Sequence, residues 1–505
     1  MNLDATPEMQ AWTRKAGYDV QDFAKHGLKC IHVAGTKGKG SVCAMTESIL
    51  LQYRVRVGVG ESLGKIGLYT SPHLVHIRER IRIDGSPISE PVFAKYFFEL
   101  WDRFSNAAAL ESDIDIDPLS PDTKPAYFRY LTLLAFHTFI RERVETVIVE
   151  CGIGGEYDST NILPAAVVTT TGITTLGIDH AGMLGETIED IAWHKAGIMK
   201  TDIPAFTTRQ SPEALAVLNT RAVEKGAYLC VVDRLPVLDD EIIKLGLDGD
   251  FQRDNASLAI VLAAAHLRTM GVSDGVTDLG ALATSFEGLP EEFITGLETA
   301  TWPGRCQFIK DGNTEWFIDG AHTKDSLVAA AAWYTSKLYD AMRSDQPPTA
   351  TMLIFNQQDR DSQTLLRGLL TSLFNERIAP RRVRMLGNYI SPRTGMERQW
   401  PHLRVIQLFT YAAFCTNQPF KSAVEGSVDT KAQTALANLY SSIDENQLHM
   451  VYESVEEAVD LAHKISEGDE RVLVFVTGSL YLVGSVLKVL EKKGIDTTMR
   501  YQSSA

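Results

Sequence analysis

The residues whose spacing most plainly suggests chemistry lie in IHVAGTKGKGSVCAMTESIL, Ile31 to Leu50. An apolar run leads into Gly35, Gly38 and Gly40, with Lys39 between the last two, and a helical pattern follows. Glycines let several backbone N–H groups turn toward one anion, the lysine adds charge, and the start of the helix adds its dipole. This is how a phosphate loop is built. Two positions depart from GxxxxGK(S/T): Val33 replaces the first glycine, and Gly40 stands where a hydroxyl would bind magnesium. A metal ligand must then come from elsewhere. Thr70 and Ser71 end a short apolar run before Pro72, and hydroxyls at the carboxyl end of a strand sit where open α/β sheets bind ligands. Glu150 closes the run VETVIVE, as a Walker-B-like acid would. Taken alone, His180 is a weaker candidate, because imidazole prefers softer metals than magnesium.

The elements that must position these groups are legible as alternating patterns. CIHVAG, TVIVECGIGG and AAVVTTTGI read as buried strands. GSVCAMTESILLQY, YFRYLTLLAFHTFIRER and ASLAIVLAAAHLRTM read as helices, and Lys195 falls in a short helical DIAWHKAG. Such alternation predicts βαβ units, a parallel sheet and helices on both faces. The pattern breaks between Thr295 and Pro303, and CQFIKDGNTEWFIDGAH opens a new series continued by TATMLIFN, LRVIQLF and VLVFVTG. The expectation is two α/β domains, 1–299 and 300–505. Asn106–Lys124 and Arg343–Thr349 read as polar surface loops.

Bulk properties exclude several classes. A chain of 505 residues, 45% hydrophobic and 22% charged, is too long for one ordinary core. No apolar run is long enough to span a membrane, so no integral membrane association is expected. The start, MNLDATPEMQAWTRKAG, resembles neither a secretory signal nor an Arg-rich import peptide. Six scattered cysteines without a CxxC argue for reduced structural thiols. A formal net charge of -15 disfavours nucleic acid as a partner.

Three further segments carry polar groups suited to a nucleotide or an anion. FQRDNASLA places Gln252 and Asn255 on one helical face, with amides able to read an adenine edge. WPGR supplies Arg305 near the domain junction, where a planar guanidinium suits a phosphate. In HIRERIRI, a two-residue period would put His76, Arg78, Arg80 and Arg82 on one strand face, either as a positive stripe for an anionic tail or as a solvated edge strand.

Taken together, GTKGKGS, YTSPHLVHIRERIRIDG, ECGIGGEYDSTN, IDHAGMLGETIEDIAWHKAGI, WPGRCQ, DGAHT and TGSLYLVG closely resemble the folylpolyglutamate synthases of the Mur ligase superfamily, in their eukaryotic form. The resemblance runs in order through nearly the whole chain. It implies an N-terminal P-loop parallel-sheet ATPase domain, which also takes folate, and a smaller Rossmann-like C-terminal domain that binds glutamate. Gly35, Thr36, Lys37, Gly38, Lys39, Gly40 and Ser41 would cradle ATP, assisted by Gln252, Asn255, Arg305 and Asp319, the last lying near the ribose or the incoming glutamate. Magnesium, as two ions, would be held by Thr70 or Ser71, by a bridging Glu150, by His180, and by Lys195 after carbamylation turns it into a carboxylate-like ligand. A monovalent cation would accompany them. Lys39, Lys195 and His322 would be catalytic, while Arg78, Arg80, Asp158, His322, Ser479 and Tyr481 would contact substrate.

The implied reaction is ATP-dependent addition of L-glutamate, through its amino group, to the γ-carboxylate of a reduced folate by way of an acyl phosphate. The implied partners are reduced folates, L-glutamate and ATP, acting on a monomer in the cytoplasm with a mitochondrial pool. Dihydrofolate synthase, which joins glutamate to dihydropteroate with the same machinery, is the nearest rival. A nucleotide-binding protein without ligase activity is another, although every matched position carries a chemically competent residue.

Overall fold

A computed structural model of the chain describes residues 5–54, 63–111, 116–239, 243–272, 289–358, 361–388, 409–422, 428–443, 448–467 and 470–497. The chain divides into two compact units. One comprises Met1–Leu247 and Phe251–Trp302, the other Pro303–Ala505 with Asp248–Asp250. Within the second unit an ion pair between Asp248 and Lys337 holds that short segment.

The first unit is built on strands β1 (Lys29–Ala34), β2 (Lys65–Tyr69), β3 (Ile81–Ile83), β4 (Ser86–Pro87), β5 (Val144–Glu150), β6 (Val168–Ile173), β7 (Pro204–Thr208) and β8 (Tyr228–Val232). Their order is β4-β3-β2-β5-β1-β6-β7-β8. All pairings are parallel except those of β3 with β2 and β4. Alternate residues of the central strands enter different cores, as the two-residue period requires. Ile31, Val33, Leu68 and Ile148 pack with helices Lys39–Arg54 and Gln252–Thr269, whereas Cys30, Tyr69, Val147 and Val149 pack with helices Glu90–Ala109 and Tyr127–Arg141. A sheet covered on both faces explains why its strands read as unbroken apolar runs. The chain passes from β1 to β2 and returns through β5 to β6 on the far side of β1, so the loop after β1 lies at a topological switch point.

The second unit repeats the logic with β9 (Gln307–Asp311), β10 (Thr314–Ile318), β11 (Ala350–Phe355), β12 (Tyr411–Cys415), β13 (Leu448–Tyr452) and β14 (Val472–Thr477), ordered β13-β12-β11-β14-β10-β9. Only β9 runs antiparallel. The expected strand in LRVIQLF lies outside the described residues except for Phe409, and β12 follows it. The run RVRVGVGESLGKIG before TSPHL also falls largely outside them. All six cysteines are unpaired.

Candidate active site

The phosphate loop leaves β1 at Ala34 and enters helix Lys39–Arg54. Gly35 has φ 147°, and a Cβ there would lie 1.8 Å from Thr174 Oγ1. The loop is pinned to the strand on its other side: the backbone N–H groups of Thr36 and Lys37 both donate to Thr175 O at 3.1 Å. Thr36 Oγ1 donates to Gly177 O at 3.0 Å, and Lys37 pairs with Asp179 at 3.1 Å. Two lysines then meet at one carbonyl. Lys39 Nζ donates to Gly35 O at 3.1 Å and Lys195 Nζ to the same oxygen at 2.7 Å. Lys195 comes from helix Ile188–Ala196, capped by Thr187 with Asp190, and is only 4% exposed. Burial, followed by the charge of Lys39, brings its pKa down to about 7.

Gln252 and Asn255 are brought to this loop. Both are buried. Gln252 Nε2 donates to Ser41 Oγ at 3.2 Å, and its Oε1 accepts from Asn255 Nδ2 at 2.9 Å. A Cβ on Gly38, whose φ is 91°, would lie 2.3 Å from Asn255 Oδ1. The amides brace the loop from its helix side.

The structure also brings together the expected metal-binding groups at the ends of β2 and β5. These strands are parallel neighbours with Tyr69 opposite Val149, so Thr70 and Glu150 are the next residues at adjacent strand ends. Both are buried, and the Ser71 N–H donates to Glu150 Oε2 at 3.1 Å. His180 is exposed, with φ 53°, and its N–H donates to Asp179 Oδ1 at 2.9 Å. Among the described residues no three His, Cys, Asp or Glu side chains cluster as a metal cage. A hydroxyl pair beside one carboxylate still fits magnesium, which favours oxygen donors and is usually held by one or two carboxylates, phosphate oxygens and waters.

The arginine stripe does not form. Ile77–Arg80 is a 3-10 turn, and only Ile81–Ile83 is strand. Glu79 causes the break by accepting the N–H groups of Leu74, Val75 and His76 at 2.8, 3.0 and 2.6 Å. The four basic residues therefore diverge. Arg78 donates to Ile88 O, Arg80 donates to His73 Nδ1 and lies over Tyr127, and Arg82 reaches Gly85 O and Glu47. Asp158 is likewise occupied within its own loop. It is buried and accepts from the Ile153 N–H, the Thr160 N–H and Thr160 Oγ1 at 2.9, 2.9 and 2.6 Å.

In the second unit the expected residues sit at the carboxyl ends of β10 and β14. Asp319 is buried, and its two oxygens accept the N–H of Cys306 at 2.8 Å and of Ala321 at 2.9 Å. Burial pushes its pKa up against the pull of Arg305. His322 Nδ1 lies 2.8 Å from Gly320 O, and its N–H donates to Ser326 Oγ. Ser479 caps helix Leu480–Lys492 by accepting from the Tyr481 and Leu482 N–H groups, while the Tyr481 ring is 65% exposed. The Gly478 N–H donates to Ala321 O at 3.0 Å and ties the two strand ends together.

An amide network beside them was missed from the sequence. Gln433 Nε2 donates to Asn356 Oδ1 at 2.8 Å, Asn356 Nδ2 donates to Asn417 Oδ1 at 2.8 Å, and Gln357 Nε2 donates to Gly478 O at 3.0 Å. The available signal was FNQQ, polar amides directly after a fully buried strand.

No family model matches the chain. Its relatives are nonetheless clear. Folylpolyglutamate synthase of Saccharomyces cerevisiae strain FostersO is 41% identical over 500 residues, covering 96% of this chain and 81% of the relative. The Mycobacterium tuberculosis folylpolyglutamate synthase complexed with ADP and AMPPCP superposes with TM-score 0.64 at 22% identity, covering 98% of this chain and 96% of that one. Escherichia coli FolC, in complex with DHPP and ADP, gives TM-score 0.60 at 23% identity over 96% and 93% of the two chains. The fold is the one those enzymes share, and at 41% identity over nearly its full length the chain belongs to the folylpolyglutamate synthase family.

Proposed function

We infer that the first unit activates folate with ATP and that the second supplies glutamate to the activated intermediate. Folylpolyglutamate ligation with ATP as co-substrate is the activity of the family. In the reading proposed, Gly35–Ser41 and Lys39 hold the triphosphate. A γ-carboxylate oxygen of the folate's terminal glutamate attacks the γ-phosphorus, the bond to the bridging oxygen breaks, and ADP leaves. The amino nitrogen of L-glutamate then attacks the acyl carbon, inorganic phosphate leaves, and the nitrogen gives up a proton to form the amide. Asp319, His322 and Ser479 position that glutamate, and Arg305 supplies a guanidinium suited to phosphate.

The observation that carries this reading is the convergence of Lys39 and Lys195 on Gly35 O. Lys39 gives the loop a cation for phosphate, and Lys195 reaches the same loop from its own helix, where its carbamate would face the metal. Thr70 or Ser71, Glu150 and His180, with Lys195 as its carbamate, would hold magnesium. The metal, when bound, neutralises phosphate charge during transfer. Burial of Lys195 supports carbamylation, because a neutral amine is the form that reacts with carbon dioxide.

No helix among the described residues is long and apolar enough to cross a membrane. A monomer acting in the cytoplasm, with a mitochondrial pool, completes the proposal.

The test is mass analysis of pteridine products after incubation with MgATP, L-glutamate and either tetrahydrofolate or dihydropteroate. Glutamate ladders on tetrahydrofolate are expected. Product from dihydropteroate alone would make the chain a dihydrofolate synthase, and no product from either would remove the ligase reading.

A further inference from the structure

The phosphate loop has no side chain at residue 40, and another residue occupies the space one would fill. A Cβ on Gly40 would lie 2.7 Å from Nε1 and 3.2 Å from Cε2 of Trp302. Carbon cannot approach so closely, so the indole requires glycine there. Trp302 is the last residue of the first unit, is half-buried, and packs on the core containing Val42, Cys43 and Met45 of the loop's own helix.

The indole is also held over its ring. The Arg82 guanidinium carbon is 5.6 Å from the ring centroid, and Arg82 Nη2 lies 3.4 Å from Glu47 Oε2. Glu47 is a buried carboxylate on helix Lys39–Arg54, the helix that the phosphate loop opens. Loop, indole, arginine and carboxylate thus form one closed mechanical circuit. Yet the indole N–H, which can only donate, has no hydrogen-bond partner among the described residues.

We propose that Trp302 Nε1–H donates to a phosphate oxygen of the bound nucleotide, from the space beside Gly40 that a side chain fills in other phosphate loops. This rests on the reading that Gly35–Ser41 holds ATP. It makes Trp302 a nucleotide-binding residue, and it makes Arg82 and Glu47 the groups that position it.

Trp302→Phe keeps a ring for Arg82 and removes the donor. ADP affinity, read by calorimetry on the full chain, should weaken about tenfold, in the range of one hydrogen bond to a charged group. KM for ATP should rise with it, while KM for folate and glutamate stay at wild-type values.

A second readout needs no variant. With 15N-tryptophan in the wild-type chain, which has seven tryptophans, one indole N–H resonance should shift downfield and exchange more slowly with water when ADP is added. Unchanged ADP affinity in the variant, or no indole resonance responding in a wild-type chain that binds ADP, overturns the proposal. A wild-type chain that binds neither ADP nor ATP would instead overturn the reading of the loop.

Discussion

The carboxyl ends of the two sheets are furnished with different chemistry. At the first, charges gather around glycines: Lys37 with Asp179, Lys39 and Lys195 on Gly35 O, and Glu150 beside Ser71. At the second, neutral amides do most of the positioning, through Gln433, Asn356, Asn417 and Gln357, around the buried carboxylate of Asp319. A polyanion is the ligand that lysines gathered around a glycine loop suit, so the first end is matched to a phosphate chain. L-Glutamate carries one ammonium and two carboxylates, so the second end must meet both signs of charge and relies on fixed geometry. The contrast predicts that variants at the first end act on ATP, and that variants at the second act on glutamate.

The largest expected effect is at the charged end. Lys39→Met should lower kcat for ligation by roughly a hundredfold to a thousandfold, the range for losing one preorganised group on developing charge. KM for glutamate should stay within twofold of wild type, on the general expectation that separate sites are independent. Steady-state kinetics with each substrate varied would check both, and a parallel rise in KM for glutamate would break the contrast.

The next effect concerns stability in acid. Among the described residues, the fully buried histidines, His32, His137 and His266, all belong to the first unit. His266 bridges Thr146 Oγ1 at 2.9 Å and Thr169 Oγ1 at 2.8 Å. His32 Nε2 lies 2.9 Å from Thr160 Oγ1 and 3.1 Å from Cys151 Sγ. Burial brings both pKa values down to about 3. The unfolded chain therefore binds protons below its ordinary histidine pKa that the native state refuses until far lower pH. Stability falls as pH drops through about 6.5 and stops falling from this cause below about 3. By pH 5 the loss is roughly 2 kcal/mol for each of the two. Hydrogen exchange at pH 7.5 and 5, corrected for the intrinsic rate, should show protection lost first in β1, β5 and β6. Earlier loss in β10, β11 and β14 would contradict this.

The same contrast explains what the sequence disclosed. β1, β5, β6, β10, β11 and β14 were legible because strands buried on both faces are predominantly apolar and β-branched, and the groups that follow or close them stand out as Gly35, Glu150 and Asp319. The charged end could be read because its chemistry is local: glycines, a lysine and a helix start within a few residues. HIRERIRI misled because an arginine at every second position imitates a strand, whereas one carboxylate, Glu79, gathers three N–H groups and bends the chain. The amide network stayed hidden for another reason. Gln433 meets Asn356 across 77 positions of sequence, and nothing local marks either as a partner of the other.

Asp319→Asn tests the second end directly. Its carboxylate accepts two backbone N–H groups on separate oxygens, and the amide would turn an NH2 toward one of them. A mismatch of this kind costs about 1–3 kcal/mol. KM for glutamate should rise about tenfold, in line with that cost, with KM for ATP unchanged. An ATP-specific defect would move Asp319 to the nucleotide and blur the division.

The smallest effects give the sharpest comparison, because they use one residue type in both places. Gln357→Leu removes the donor to Gly478 O, and Gln252→Leu removes the bridge between Ser41 and Asn255. Both glutamines are buried, and each variant should lower stability by about 1–2 kcal/mol. The kinetic signatures should nevertheless differ. Gln357→Leu loosens the turn leading to Ser479 and should raise KM for glutamate a few-fold, an effect of about 1 kcal/mol. Gln252→Leu loosens the loop at Ser41 and Gly38 and should do the same for ATP. Equal stability loss with opposite substrate dependence could not come from general destabilisation. If both variants raised the same KM, the two strand ends would not be serving separate substrates, and their difference in charge would need another cause.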